Sequence, residues 1–171
     1  MTTGALFRLG DAAEEAGDYE RAQLSFEKGA ALGDVLCLMR LAYMFDVGVG
    51  VEPDKVFAMR CYQRAWRREP HNMAANNIAI LYREAGNRRA MFKWFQRALV
   101  QGDYDALVDL AQCHLKGLGV RRSVGQALRC LSAALASESL FEATREKAEA
   151  MLAELRPKLV EPPADNTEPS S

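Results

Sequence analysis

One pair of signatures returns four times along this chain. An apolar residue followed by Gly or Ala stands at Leu9-Gly10, Leu41-Ala42, Ile78-Ala79 and Leu110-Ala111. Each is followed by a small-x-x-x-aromatic-x-x-small pattern: Ala22/Phe26/Gly29, Ala58/Tyr62/Ala65, Met91/Phe95/Ala98 and Ala127/Leu131/Ala134, with Met91 and Leu131 as departures. Around the anchors apolar residues recur at i, i+3, i+4 and i+7, as in Leu38, Leu41, Ala42 and Phe45, which is the stripe of an amphipathic helix; strand alternation is absent. A helical hairpin of this size cannot cover its own apolar face, so hairpins in series must stack on one another. The predicted fold is all-α: a right-handed α/α solenoid of about four helix-turn-helix repeats with a C-terminal capping helix.

The spacing adds detail. The intervals between Leu9, Leu41, Ile78 and Leu110 alternate, the middle one being the longest and the outer two equal. The stretch from first to second anchor alternates as well: Leu41 to Tyr62 and Leu110 to Leu131 are longer than Leu9 to Phe26 and Ile78 to Phe95. Hairpins two and four therefore carry a longer internal turn, and both turns read Gly-x-Gly-Val, at Gly48–Val51 and Gly117–Val120. Gly17-Asp18, Gly33-Asp34, Gly86-Asn87 and Gly102-Asp103 each place a helix-ending glycine before a residue able to cap or turn. Asp54 and Ser123 are the matching N-cap candidates after the long turns, and Pro70 stops the helix before it. The hairpins are thus expected at about 4–34, 35–72, 73–103 and 104–140, and the cap helix at about 141–156, limited by Pro157. Together they make a repeat domain over residues 1–159, and the polar, Pro-rich segment 160–171 is expected to be a disordered tail.

A chain of 171 residues, 49% hydrophobic and 26% charged, can bury a sizeable core by itself. Its apolar runs are too short to span a bilayer and its first residues lack the basic start and apolar stretch of a signal peptide, so a cytoplasmic protein without membrane insertion is expected. Cys37, Cys61, Cys113 and Cys130 contain no C-x-x-C pair and read as reduced, buried thiols. Net charge is −1 overall but −6 over residues 1–54, +8 over 55–97 and −3 over 98–171, so the middle of the chain is a basic block.

No catalytic constellation emerges. Cys113 and His114 are adjacent, and adjacent residues diverge from a helix, whereas metal sites want i, i+3 or i+4 pairs. The Gly-x-Gly-Val turns lack the Lys-Ser/Thr of a phosphate loop and the preceding strand of a dinucleotide fold. The sequence predicts no catalytic residue, no metal site, no cofactor and no enzyme activity.

Hairpins two and four, with Leu41-Ala42, the two Gly-x-Gly-Val turns, Asp54, Ala58, Tyr62 and Ala65, resemble Sel1-like repeats. Hairpins one and three, with Gly17-Asp18-Tyr19-Glu20-Arg21-Ala22 and Ala74 to Tyr82, resemble the related tetratricopeptide repeat. The resemblance covers about Ala5 to Leu140 and implies a scaffold or adaptor for protein complexes, commonly bacterial, that binds its ligand on the concave face. Repeats of this kind imply service in secretion, envelope-stress or toxin-immunity systems. In that register the first helices offer Tyr43, Asp46, Asn76, Arg83 and Gln112 as concave-face contacts; an amide, a guanidinium and a phenol can read a peptide backbone or carboxylate.

The basic block forms a stripe, with Arg60, Arg64, Arg67 and Arg68 at i, i+4, i+7 and i+8 of one helix and Arg88, Arg89, Lys93 and Arg97 on another. Interleaved Tyr62, Trp66 and Trp94 give a second reading, a nucleic-acid-associated protein that binds through this stripe. The first reading, a protein or peptide partner, is preferred. A homo-oligomer formed through the uncapped N-terminal helix is a further expectation.

Overall fold

Helices in this chain, the first and the last apart, begin where a side chain takes up a free backbone N–H. The computed structural model describes residues 2–160, so the expected tail lies, from residue 161 on, outside the described residues. Among the described residues there are nine helices and no strands: α1 Thr3–Glu15, α2 Tyr19–Ala31, α3 Val35–Val47, α4 Lys55–Arg68, α5 Asn72–Glu84, α6 Arg88–Val100, α7 Ala106–Lys116, α8 Val124–Leu135 and α9 Glu142–Val160. Asp18, Asp34, Asp54, Asn87 and Ser123 accept first-turn N–H groups of α2, α3, α4, α6 and α8, and Asp103 accepts from Ala106 of α7. His71 caps α5 through Nδ1, 3.4 Å from the Ala74 nitrogen. α9 runs past its expected end and through Pro157; a proline removes one intrahelical bond and bends a helix without having to end it.

Consecutive helices pack antiparallel in pairs, α1 with α2 through α7 with α8, and each pair stacks on the next. α1 also touches α3 and α7 touches α9, while among the described residues no even-numbered pair makes a comparable contact, so the odd-numbered helices form the inner row of a curved stack. The second anchors are the pins of the core: Phe26, Tyr62 and Leu131 are fully buried and Phe95 is 1% exposed. At the first crossing Gly10 has no room for a side chain, because a Cβ there would overlap the Phe26 ring.

The alternating turn length has a packing cause. The long turn of hairpin two lays Gly50 on Tyr19, the first residue of α2, and the long turn of hairpin four lays Gly119 on the carbonyl of Arg88, the first residue of α6. A Cβ on either glycine would overlap those atoms, and both have positive φ, 68° and 74°. Each short hairpin thus has its outer end covered by the long turn that follows. One constant sequence offset relates Tyr19 to Arg88, Gly50 to Gly119, Phe26 to Phe95 and Tyr62 to Leu131, so the solenoid is one double hairpin used twice and closed by α9. No helix among the described residues is long and apolar enough to cross a membrane.

Candidate partner-binding face

Three register positions at i, i+3 and i+6 define the inner row. They are Arg8, Asp11 and Glu14 on α1; Arg40, Tyr43 and Asp46 on α3; Asn77, Ile80 and Arg83 on α5; Asp109, Gln112 and Leu115 on α7. Residues so spaced share one helix face, the outer two leaning toward opposite neighbours and the middle one pointing away from the stack. Contacts follow that geometry. Glu14 meets Arg40 at 2.6 Å and Arg83 meets Asp109 at 3.4 Å, each pair joining one hairpin to the next. Between hairpins two and three Asp46 takes the corresponding place: one oxygen binds Lys55 at 2.7 Å, the other accepts the Tyr62 hydroxyl at 3.3 Å, and Lys55 reaches on to Glu84 at 3.0 Å.

Two of the residues expected to face a ligand, Asp46 and Arg83, are therefore engaged in these inter-hairpin clamps. The electrostatics agree. Asp46 and Glu84 hold the Lys55 ammonium above its usual range, while burial, reinforced by Asp46, pushes the Tyr62 phenol upward. Burial also raises the Asp109 carboxyl, against the opposing pull of Lys147 and Arg83.

Tyr43 stands at the middle position, 43% exposed, with the Arg40 guanidinium 5.9 Å from its ring centre. The same face of α3 carries Leu36 and Val47, 53% and 51% exposed, at i−7 and i+4 from Tyr43; Met73 on the neighbouring α5 is 58% exposed. The sequence reading sought polar residues, and so named Tyr43 but missed the apolar Leu36, Val47 and Met73 around it. Its signal was present in α3 itself, VLCLMRLAYMFDV, which is apolar on more sides than packing needs. Asn76 is half-buried on α5, and Gln112 is half-buried on α7, where with Leu115, Lys116, Lys147, Met151 and Glu154 it lines a cavity of about 670 Å³ closed by α9.

On the opposite, even-numbered row, Arg60, Arg64, Arg67, Arg68, Arg88, Arg89, Lys93 and Arg97 are all exposed, and among the described residues none of them is in an ion pair. The aromatics between them form no open platform. Tyr62 is fully buried, Trp66 and Trp94 pack edge to face at 5.3 Å, and the Arg97 guanidinium covers the Trp94 ring at 4.2 Å.

The thiols lack the setting of a nucleophile. Burial pushes Cys37 up to about 12 and Cys61 and Cys113 up to about 11, and raises the half-buried Cys130 as well. Among the described residues no three His, Cys, Asp or Glu side chains are grouped as a metal ion requires.

Stacked hairpins with a clamped inner row define an α/α solenoid. The family model described as Sel1 repeat matches residues 35–67 and 105–138, which fall in hairpins two and four. The fold is similar to that of a protective antigen present in uropathogenic Escherichia coli strains and displaying an SLR fold (24% identity, TM-score 0.75, 90% of this chain and 33% of that one). It is similar also to a Sel1 repeat protein from Oxalobacter formigenes (21%, TM-score 0.77, 90% and 64%) and to a MamA protein (17%, TM-score 0.64, 92% and 86%). The chain spans a third of the first of these structures and just under two thirds of the second. No curated protein sequence matches it.

Proposed function

We propose that this protein is a non-catalytic interaction scaffold that binds a peptide or a partner protein on its concave face, across α3 and α5. The observation that carries this reading is the exposed apolar ridge of Leu36, Tyr43, Val47 and Met73, set among charges that are already paired within the protein. Contiguous exposed apolar surface on a folded chain marks an interaction site, and neutralised surroundings leave apolar contact as the main source of affinity. Its two matches to the Sel1 repeat model point the same way. Raised thiols support the non-catalytic assignment. Free cysteines support a reducing, cytoplasmic setting. Self-association through the first hairpin is compatible with the groove of about 510 Å³ between Leu6, Leu9, Ala31 and Leu32 on its outer side.

The test compares the parent with Tyr43→Glu/Met73→Glu, shown by circular dichroism to be folded, as baits in nuclease-treated lysate of the source organism. A protein held by the parent and released by the variant is the expected result. Equal capture by both would overturn the assignment of the face.

A further inference from the structure

We propose that the convex face along α4 docks an acidic amphipathic helix of a partner protein, held by Arg60 and Arg64 at the rims of two apolar grooves. The internal duplication supplies a control for these cations. The offset that relates Tyr62 to Leu131 takes Arg60, Arg64, Arg67 and Arg68 to Arg129, Ala133, Ala136 and Ser137. Applied backwards, it takes Arg89, Lys93 and Arg97 to Glu20, Leu24 and Lys28. Arg60 and Arg97 keep a basic counterpart, whereas the positions of Arg64, Arg67, Arg68, Arg89 and Lys93 take Ala, Ser, Glu or Leu in the other half of the chain, so stacking does not require a basic residue at those five. Arg40, Arg83 and Lys147 on odd-numbered helices and Lys55 at the start of α4 are paired, whereas among the described residues the convex cations, like Arg8 on α1, are exposed and in no ion pair. A stripe of unneutralised like charges is a cost to the isolated protein, since the charges repel one another, and an acidic partner removes it.

The surface beneath the charges is shaped and apolar. Arg60 stands between two grooves that flank α4. One, of about 390 Å³ between α2 and α4, is floored by Leu38, Leu41 and Phe57 with Arg60 and Arg64 at its rim. The other, of about 420 Å³ between α4 and α5, is lined by Val56, Met59 and Leu81, with Val56 62% exposed. Each groove has one carboxylate, and both are already bonded: Glu27 accepts from Gln23 at 2.8 Å and Glu84 binds Lys55 at 3.0 Å.

Apolar floor and cationic rim together select a ligand with an apolar stripe edged by carboxylates. Arg60 and Arg64 are one helical turn apart, so glutamates spaced i, i+4 on a docked helix meet them in register and pair bidentately. Nucleic acid uses the charge and wastes the grooves, and the aromatics interleaved with the stripe are engaged: Arg97 covers Trp94, Trp66 packs edge to face on Trp94 and Tyr62 is buried.

The experiment is fluorescence anisotropy of the full chain with a labelled synthetic peptide of about 18 residues, long enough to hold helix, with leucines at i, i+3, i+4 and i+7 and glutamates beside them. Its comparators are the same peptide with lysine for glutamate, the same peptide with glutamine for leucine, and a single-stranded uridine oligonucleotide. The expected result is binding of the Leu/Glu peptide alone, weakening as salt is raised. Arg60→Glu/Arg64→Glu should weaken it by about tenfold or more, and Arg129→Glu, a charge reversal at the matching position of α8, should leave it unchanged. If the double reversal fails to fold, Arg60→Gln/Arg64→Gln reads the same loss. No binding of the Leu/Glu peptide, equal binding of the lysine or glutamine peptide, indifference to the Arg60/Arg64 variants, or tighter binding of the oligonucleotide would each overturn the proposal.

Discussion

Glu14 holds Arg40 at 2.6 Å across the first hairpin junction, and at the equivalent junction in the second half of the chain Arg83 holds Asp109 at 3.4 Å with the two signs exchanged. The fold fixes where the pair sits and is indifferent to which partner carries which charge. In both pairs the carboxylate is the more buried member, so the two ends of a pair differ in what happens when it is broken. Arg83→Ala leaves a desolvated carboxylate with only Lys147, 4.0 Å away, whereas Asp109→Ala leaves an arginine free to reach water. Urea unfolding of the two single variants and the double should show Arg83→Ala costing more than Asp109→Ala, and a coupling of up to about 1 kcal/mol, the range of a partly exposed pair. Equal single losses and no coupling would show that the contact holds nothing together.

The long turns are predicted to act as clasps. Gly86 and Gly119 have nearly the same φ, 73° and 74°, but a Cβ at Gly86 meets nothing within 4 Å while one at Gly119 overlaps the Arg88 carbonyl. Alanine at Gly86 should therefore cost about 1 kcal/mol for the left-handed backbone alone. Alanine at Gly119 adds a displaced turn and should cost about 3 kcal/mol or more. Urea midpoints of the two variants measure the difference, and equal midpoints would contradict the packing of this turn on α6.

His71 gives the fold a pH response. Its Nδ1 accepts the Ala74 N–H, which only the unprotonated nitrogen can do, and burial lowers its pKa from 6.5. The folded state therefore binds the proton less well than the unfolded chain does. The stability this contributes is full above about pH 6.5 and is lost as pH falls through the lower folded-state value. Thermal melts at pH 7.5 and pH 5 should show a larger drop for the parent than for His71→Ser, whose hydroxyl accepts at both pH values. Identical drops would remove His71 from the account.

What could be read from sequence follows from what repeats. Phe26, Tyr62, Phe95 and Leu131 recur because each fills the same buried slot, and the glycines recur because the turns need positive φ, so the hairpins, turns and most caps were legible. Recognition residues do not recur, and polarity was a poor guide to them. Arg83 is polar because it bonds the next hairpin and Asp46 because it holds the Lys55 that does, while Leu36, Val47 and Met73 were not singled out because hydrophobicity does not say which side of a helix is covered. The basic stripe was legible as surface from its spacing alone, but the grooves beneath it depend on how α4 sits on α2 and α5, which only the stacked structure shows. His71 was overlooked as a cap because Pro70 beside it accounted for the break.

The concave ridge is the central claim, and a photo-crosslinker reads it directly. Tyr43 replaced by p-benzoyl-phenylalanine and expressed in the source organism should trap a partner on irradiation, while the same substitution at Val100, 80% exposed at the end of α6 and outside both the ridge and the α4 grooves, should trap none. Crosslinks from Val100 with none from Tyr43 would contradict the account and move the partner off the inner face.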